Sequence, residues 1–318
     1  MERSEIQAKI FQPEDLPQDL RDELAFTPDH IMIHDNQIYM QLDHMYICLP
    51  NNRTGTELAY TIARRKRGSG GRPASAAEIY ERLLYDPDYH PERSLITEYR
   101  IKENTPRCVA VFRSVNPLDK DLHSIITSMA PVEAGDAVIS ADFQTAVLIK
   151  DTEGQSDEEV SEFIEAVIGT MESEGITDIH AGTGRKCADI HGIRNGYIEG
   201  LRAVELGMRY HRQDRVYAFD KQTLEMIVDS IPDETKKSIL KTFFRHGPTD
   251  GLSDELLETV RVFFRNDLNL TAASRQLFIH RNTLNYRLDK IRKDFGLDLR
   301  SFQDAVIFRI VSEIAKVI

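Results

Sequence analysis

The chain has 318 residues, 40 Lys and Arg against 52 Asp and Glu, and a formal net charge of -12. That length suits about two or three domains, and 41% hydrophobic with 29% charged residues excludes a disordered or fibrous protein. No run of about 18 apolar residues offers a membrane-crossing helix. Met1-Glu2-Arg3-Ser4-Glu5 lacks the apolar core of a secretory signal, and three widely spaced cysteines (Cys48, Cys108, Cys187) point to reduced thiols in the cytoplasm.

Residues 1–30 read as short helix or coil, punctuated by Asp15-Leu16-Pro17 and Thr27-Pro28-Asp29. From His30 to Pro50, Ile31, Ile33, Ile38, Met40, Met45, Ile47 and Leu49 fall in alternating runs. They predict strands with a hairpin turn at Asp35-Asn36. Thr56 to Arg67 predicts a helix with a basic end, read as a solvated terminus favoured by the helix dipole. Gly68-Ser69-Gly70-Gly71-Arg72-Pro73 follows as a linker.

Beyond the linker, Ala74 to Leu84 predicts an amphipathic helix with Ile79, Leu83 and Leu84 inward. Cys108-Val109-Ala110-Val111-Phe112 is continuously apolar, like a strand buried on both faces. A helix over 119–129, strands over 137–140 and 145–149, a helix over 157–172, a strand over 178–184, a helix over 195–208 and a strand over 216–219 complete the series. The order β-α-β-β-α-β, then α-β, predicts a ferredoxin-like α/β domain. Gly182-Thr183-Gly184 lacks the Lys-Ser/Thr of a phosphate loop, so these glycines read as turn residues with positive φ. His180, Cys187, Asp189 and His191 carry metal-ligating atoms, but their spacing fits no common zinc pattern. His30, His34 and His44 read as lying singly on strands or turns, and no cofactor is assigned.

Asp233 to Phe244 predicts a helix leading into His246-Gly247-Pro248. Ser253 caps a helix whose Leu256, Leu257, Val260, Val262, Phe263 and Phe264 are apolar. Two short helices follow. Thr271 is the expected N-cap of the first, and small Ala272 and Ala273 allow a close helix crossing. Leu284, Leu288 and Ile291 mark the buried face of the second. At about 100° per residue the opposite face carries Asn282, Tyr286, Asp289 and Lys293, flanked by Asn285 and Lys290. Arg281 and Asn282 occupy its first turn, where helix amides attract phosphate.

Those residue types suit DNA. Asn pairs with adenine and Arg with guanine, while Lys, Arg and Tyr hold phosphates. Between Arg275 and Lys293 there are six Lys or Arg and one acid, whereas the chain as a whole is acidic. A closing helix over 302–318 carries Val306, Ile307, Ile310, Val311 and Ile314, more apolar surface than one small bundle needs, so part of it is expected to meet another subunit or domain.

The run Thr271-Ala272-Ala273, Leu277-Phe278-Ile279-His280-Arg281-Asn282-Thr283-Leu284 and Tyr286-Arg287-Leu288-Asp289-Lys290-Ile291 resembles the C-terminal helix-turn-helix of the PucR/CdaR family. Phe278 stands where many helix-turn-helix proteins have Gly. The middle of the chain, with Tyr197, Glu199, Ala203, Leu206-Gly207 and Val216-Tyr217-Ala218-Phe219-Asp220, resembles that family's degenerate diguanylate-cyclase-like domain. Its central hairpin offers Ala141-Asp142-Phe143, with no glycine pair and no paired acids for a metal.

The resemblance implies a non-enzymatic bacterial transcription regulator, with a nucleotide-handling cyclase-like enzyme as the rival reading. The expected architecture is a small N-terminal α+β module with linker (1–72), a degenerate cyclase-like α/β domain (73–232) and an all-α helix-turn-helix domain (233–318). Double-stranded DNA is the expected partner, met by Thr271, His280, Arg281, Asn282, Asn285, Tyr286, Lys290 and Lys293. A homodimer or higher homo-oligomer, a small-molecule effector and no membrane partner complete the expectation.

Overall fold

The computed structural model describes residues 8–25, 31–35, 37–42, 45–51, 55, 58–59, 62, 72–116, 118, 122–130, 135–142, 144–243 and 253–318. Most of the predicted helix over 56–67, the glycines of the linker, His30, His44 and the His246-Gly247-Pro248 segment lie outside them. The chain divides into two compact units. One comprises residues up to Val204 with Asp214–Phe219, the other Glu205–Gln213 with Asp220–Ile318.

The first unit opens with an antiparallel sheet of β1 (Lys9–Phe11), β2 (Ile31–His34), β3 (Gln37–Leu42) and β4 (Met45–Pro50), in the order β1-β4-β3-β2. The predicted alternation holds only in part, since Ile33 and Met45 are exposed. Ile31, Ile38, Met40, Ile47 and Leu49 bury one face together with Ala59. Met32 and Tyr46 bury the other against Leu16, Leu20 and Leu24 around helix α1 (Gln18–Ala25). Strand β1 was not expected from the sequence. Three residues are too few to show a period, and the strand exists through its pairing with β4. Asp35 takes positive φ, 48°, at the predicted β2–β3 turn. His34 sits on β2 beside Asp35.

Next come α2 (Ala76–Tyr85), capped by Ser75, and α3 (Arg93–Glu98), which is under two turns long and shows no sequence period. Ile79, Leu83 and Leu84 of α2 are buried as predicted. The second sheet contains β5 (Arg107–Ser114), β6 (Ala137–Asp142), β7 (Thr145–Asp151), β8 (Ile179–Thr183) and β9 (Val216–Ala218). Its order is β6-β7-β5-β8-β9, antiparallel throughout except for parallel β8–β9. Helices α4 (Leu122–Met129), α5 (Asp157–Ser173) and α6 (Ile193–Tyr210) alternate with these strands in the predicted order.

Central β5 is buried on both faces, which explains its unbroken apolar run. Cys108, Ala110 and Phe112 join the core built with α4 and α5. Val109 and Val111 point the other way, within contact of Gly196 and Gly200 on α6. Here the structure corrects the reading of Gly182 and Gly184. Neither has positive φ. A Cβ on Gly182 would stand 2.2 Å from the Gly200 carbonyl oxygen, and one on Gly184 2.2 Å from that of Gly196. Facing glycines let α6 lie against the strand backbone, so the space a phosphate would need is filled by helix.

The His180, Cys187, Asp189 and His191 side chains are each engaged with other groups of the protein. Buried His180 stacks on Tyr217, with Nδ1 2.9 Å from its hydroxyl. Cys187 donates to the Gly192 carbonyl at 3.1 Å. Asp189 accepts the His191 and Gly192 amides, and His191 faces Glu103 at 3.5 Å. Burial pushes the Cys187 thiol up to about 11 and the Cys108 thiol up to about 12.

The second unit is helical: the end of α6, then α7 (Thr223–Asp229), α8 (Asp233–Phe243), α9 (Asp254–Arg265), α10 (Leu270–Gln276), α11 (Arg281–Phe295) and α12 (Phe302–Ala315). Helix α7, like α3, was not expected, being only seven residues long. The surplus apolar surface of α12 has a partner within this unit. Phe308 enters the core of α9–α11, while Val311 and Ile314 pack with Leu206, Tyr210, Val228 and Leu240. Phe302 and Val306 remain exposed.

Gly182→Ala is expected to lower the unfolding free energy by about 3 kcal/mol, because a strand backbone cannot step away from a helix backbone. Gly169→Ala, on an exposed turn of α5 with nothing within 4 Å, should raise it by about 0.5–1 kcal/mol. Urea midpoints of the two variants read both effects.

Candidate nucleic-acid interface

Helix α9 begins at Ser253, whose hydroxyl accepts the Leu256 amide. Its Leu256, Val260, Val262 and Phe263 are buried and Phe264 partly so, but Leu257 is half exposed, against expectation. It lies on the solvent side of an otherwise amphipathic helix.

Two consecutive residues in the left-handed region, Asp267 (φ 51°) and Leu268 (φ 62°), turn the chain into α10. The cap of α10 is Asn269, not Thr271. Asn269 Oδ1 accepts the Thr271 and Ala272 amides at 3.0 and 3.1 Å. The double turn starts the helix early and leaves Asn269 extended in front of it, so Thr271 falls inside the first turn, exposed. Asn and Thr are both capping types, and the sequence does not choose between them. Ala273 is fully buried, as a close helix crossing requires.

Phe278 forms the turn with φ 55° and is 96% exposed, with Leu277 and Ile279 packing partly inward on either side. His280 then caps α11, its Nδ1 accepting the Asn282 amide at 3.2 Å. Gly296, at φ 75°, closes the helix.

Leu284, Leu288 and Ile291 are each fully buried, packed with Phe263, Ala273, Leu299 and Phe308 among others. The face opposite is open. His280, Arg281, Asn282, Tyr286, Lys290 and Lys293 are exposed, and Asn285 is half buried at the edge. All eight residues read from the sequence therefore lie at or near the surface of one helix pair.

The basic charges of this segment fall into two groups. Arg287 is half buried, donating to Thr259 Oγ1 at 3.0 Å and to Glu255, so it ties α11 to α9. Asp289, the acid on the face, is held by Arg300 at 2.6 Å. Arg300 also hydrogen-bonds Asp298, holding that carboxyl below its usual range. Neither clamp was visible in the sequence, because Glu255 and Arg300 lie in other parts of the chain. Among the described residues, no ion pair engages Arg281, Lys290 or Lys293.

Comparison with known proteins agrees with this geometry. Residues 256–313 match the PucR C-terminal helix-turn-helix domain, and residues 93–206 match the GGDEF-like domain. The chain belongs to the PucR/CdaR family. The carbohydrate diacid regulator of Escherichia coli (strain K12) is 24% identical over 221 residues, covering 66% of this chain and 57% of that protein. The proline-responsive transcriptional activator PutR of Bacillus subtilis (strain 168) is 28% identical over 150 residues, covering 45% of this chain and 36% of PutR. The uncharacterized protein YxkF of Bacillus subtilis (strain 168) is 34% identical over 87 residues, 27% of this chain and 29% of YxkF. This member of the family spans less than two thirds of the length of each of these relatives. No helix among the described residues is long and apolar enough to cross a membrane.

Asn269→Ala is expected to cost about 1 kcal/mol of stability, whereas Thr271→Ala stays within about 0.5 kcal/mol of the parent. Thermal unfolding of both variants would reverse the cap assignment if Thr271→Ala proved the more damaging.

Proposed function

We propose that this protein is a sequence-specific DNA-binding transcriptional regulator that reads DNA with α11. One observation carries the reading. A helix with a fully buried Leu284-Leu288-Ile291 stripe offers Asn282, Tyr286, Lys290 and Lys293 to solvent on its other side, and His280 and Arg281 at its N-terminal end. Arg281 and Asn282 sit at its N-terminal end, the part of such a helix that meets base edges. Thr271, Asn285 and the two lysines serve as phosphate or edge contacts. Family membership and the printed names of the diacid regulator and PutR point the same way.

In this reading the chain comprises an N-terminal module (1–72), a ferredoxin-like cyclase-derived domain (73–232) and a DNA-reading domain (233–318). The antiparallel order β6-β7-β5-β8 supports the middle assignment. That domain is not catalytic. Its β6–β7 hairpin lacks the glycine pair and paired acids of a cyclase, and Asp142 Oδ1 accepts the Gln144 amide of its own turn. The protein works as a homodimer or higher homo-oligomer, because one helix contacts too few bases and paired half-sites multiply specificity. A small-molecule effector biases it between DNA-competent and incompetent states. It acts in the cytoplasm.

Band shifts on genomic fragments at several salt concentrations test this. Binding should weaken steeply with salt. Arg281→Ala and Asn282→Ala should each cost about 1–3 kcal/mol of specific binding while leaving the fold intact, and Lys293→Ala should lower the salt slope by about 1. Leu284→Asp should unfold the domain. Parent-like affinity in the first two variants would refute the assigned face. Turnover of GTP with magnesium, lost on Asp142→Ala, would instead establish the enzyme.

A further inference from the structure

Away from the DNA-reading face, the second unit gathers a different set of groups. His211 follows α6, Glu225 lies on α7 and Glu313 on α12, yet one ligand atom from each lies within 4.8 Å of the other two. His211 Nε2 is 2.7 Å from Glu225 Oε1. Glu225 is 4% exposed and Glu313 0%, so two carboxylates share the interior of a helical cluster.

Their hydrogen bonding is incomplete. Glu313 meets Arg309 and Lys316 as ion pairs but takes no well-directed hydrogen bond on either oxygen, and among the described residues the buried hydroxyl of Tyr210 has no partner. Tyr210 packs in the same helical cluster, with Val228 and Ile314. Arg309 and Lys316 approach Glu313 at 3.1 and 2.7 Å. Both are long side chains on the solvent edge, 47% and 38% exposed, and can withdraw to water when another cation takes their place. Carboxylates this deep call for a charge and directed bonds that surface ammonium and guanidinium groups supply only in part.

We propose that His211, Glu225 and Glu313 bind one divalent transition-metal ion, joining the end of α6, α7 and α12. One imidazole and two carboxylates form a mixed nitrogen–oxygen set suited to zinc or manganese. Metal–ligand bonds of about 2.0–2.2 Å put donor atoms about 3 Å apart. The His211–Glu225 contact therefore opens slightly while Glu313 draws in. His211 is the half-buried member and gives the ion its route from solvent. Three protein ligands leave room for water or the Tyr210 oxygen. Helix α12 also packs against the α9–α11 core through Phe308, so occupancy of the site stiffens the helix that supports α11. This inference does not depend on the DNA-binding reading.

The full-length untagged protein, stripped with a chelator, is titrated with zinc chloride by calorimetry, and retained metal is counted by native mass spectrometry. One equivalent should bind in the parent and raise its melting temperature by several degrees. Glu313→Gln and His211→Ala should each weaken that equivalent at least tenfold and abolish the shift. Should either variant fail to fold, X-ray absorption on the zinc-loaded parent gives the decision, with one imidazole and oxygen donors expected. The proposal is overturned if the desalted parent retains no zinc or if the shell lacks imidazole. It also falls if Glu313→Gln binds as tightly as the parent, in which case the three residues form only a buried ion-pair network.

Discussion

Burial of one stripe on α11 governs the geometry of the second unit. Leu284, Leu288 and Ile291 recur at helical spacing and are sealed against α9, α10 and α12. Each such side chain contributes about 1.5–3 kcal/mol by leaving water, so the rotation of α11 about its axis is fixed. Everything polar on the far side is displayed as a consequence. Caps at both ends, His280 and Gly296, fix where the helix begins and stops. The ion pairs refine this arrangement: Arg287 anchors the helix to α9, and Arg300 neutralises Asp289 beside the exposed lysines.

A different constraint shapes the first unit. There the closest approach is backbone to backbone, Gly182 and Gly184 against Gly196 and Gly200. The contact lets α6 cover β5 and β8 without side chains between them, and it leaves Val109 and Val111 to fill the flanks. In an active cyclase, glycines and acids of the central hairpin serve the nucleotide. In this chain the acid of the hairpin braces its own turn, and the glycines that matter serve packing. The fold outlives the chemistry because helix–sheet packing does not require the catalytic residues.

Charge is divided between the two ends of the chain. Residues 253–318 carry eleven Lys or Arg and nine Asp or Glu, so the acidity of the whole resides elsewhere. An acidic body and a basic terminal helix confine attraction for a polyanion to one surface and make it sensitive to salt. The His211–Glu225–Glu313 cluster stands apart from this pattern, because its charges face inward, where water cannot screen them.

Strong periodic runs were legible in the sequence: the strands β2–β4, the solid apolar β5, and the helices α5 and α11 appear where the residues predict them, although Ile33 and Met45 are left exposed. Hydrophobic period reports burial directly, and burial decides the face of a helix or strand. Short elements such as β1, α3 and α7 carry too few residues to show a period and exist only through their neighbours. Choices between like residues were also beyond the sequence. Asn269 rather than Thr271 became the cap because two left-handed residues placed it there. The glycine contact, the Arg287 and Arg300 clamps and the His211 cluster join positions from about 10 to 100 residues apart. The sequence alone determined which surfaces must be hidden and which residue types would be left exposed on α11. Only the tertiary structure decided which distant groups would meet one another, since loop closure sets no local pattern along the chain.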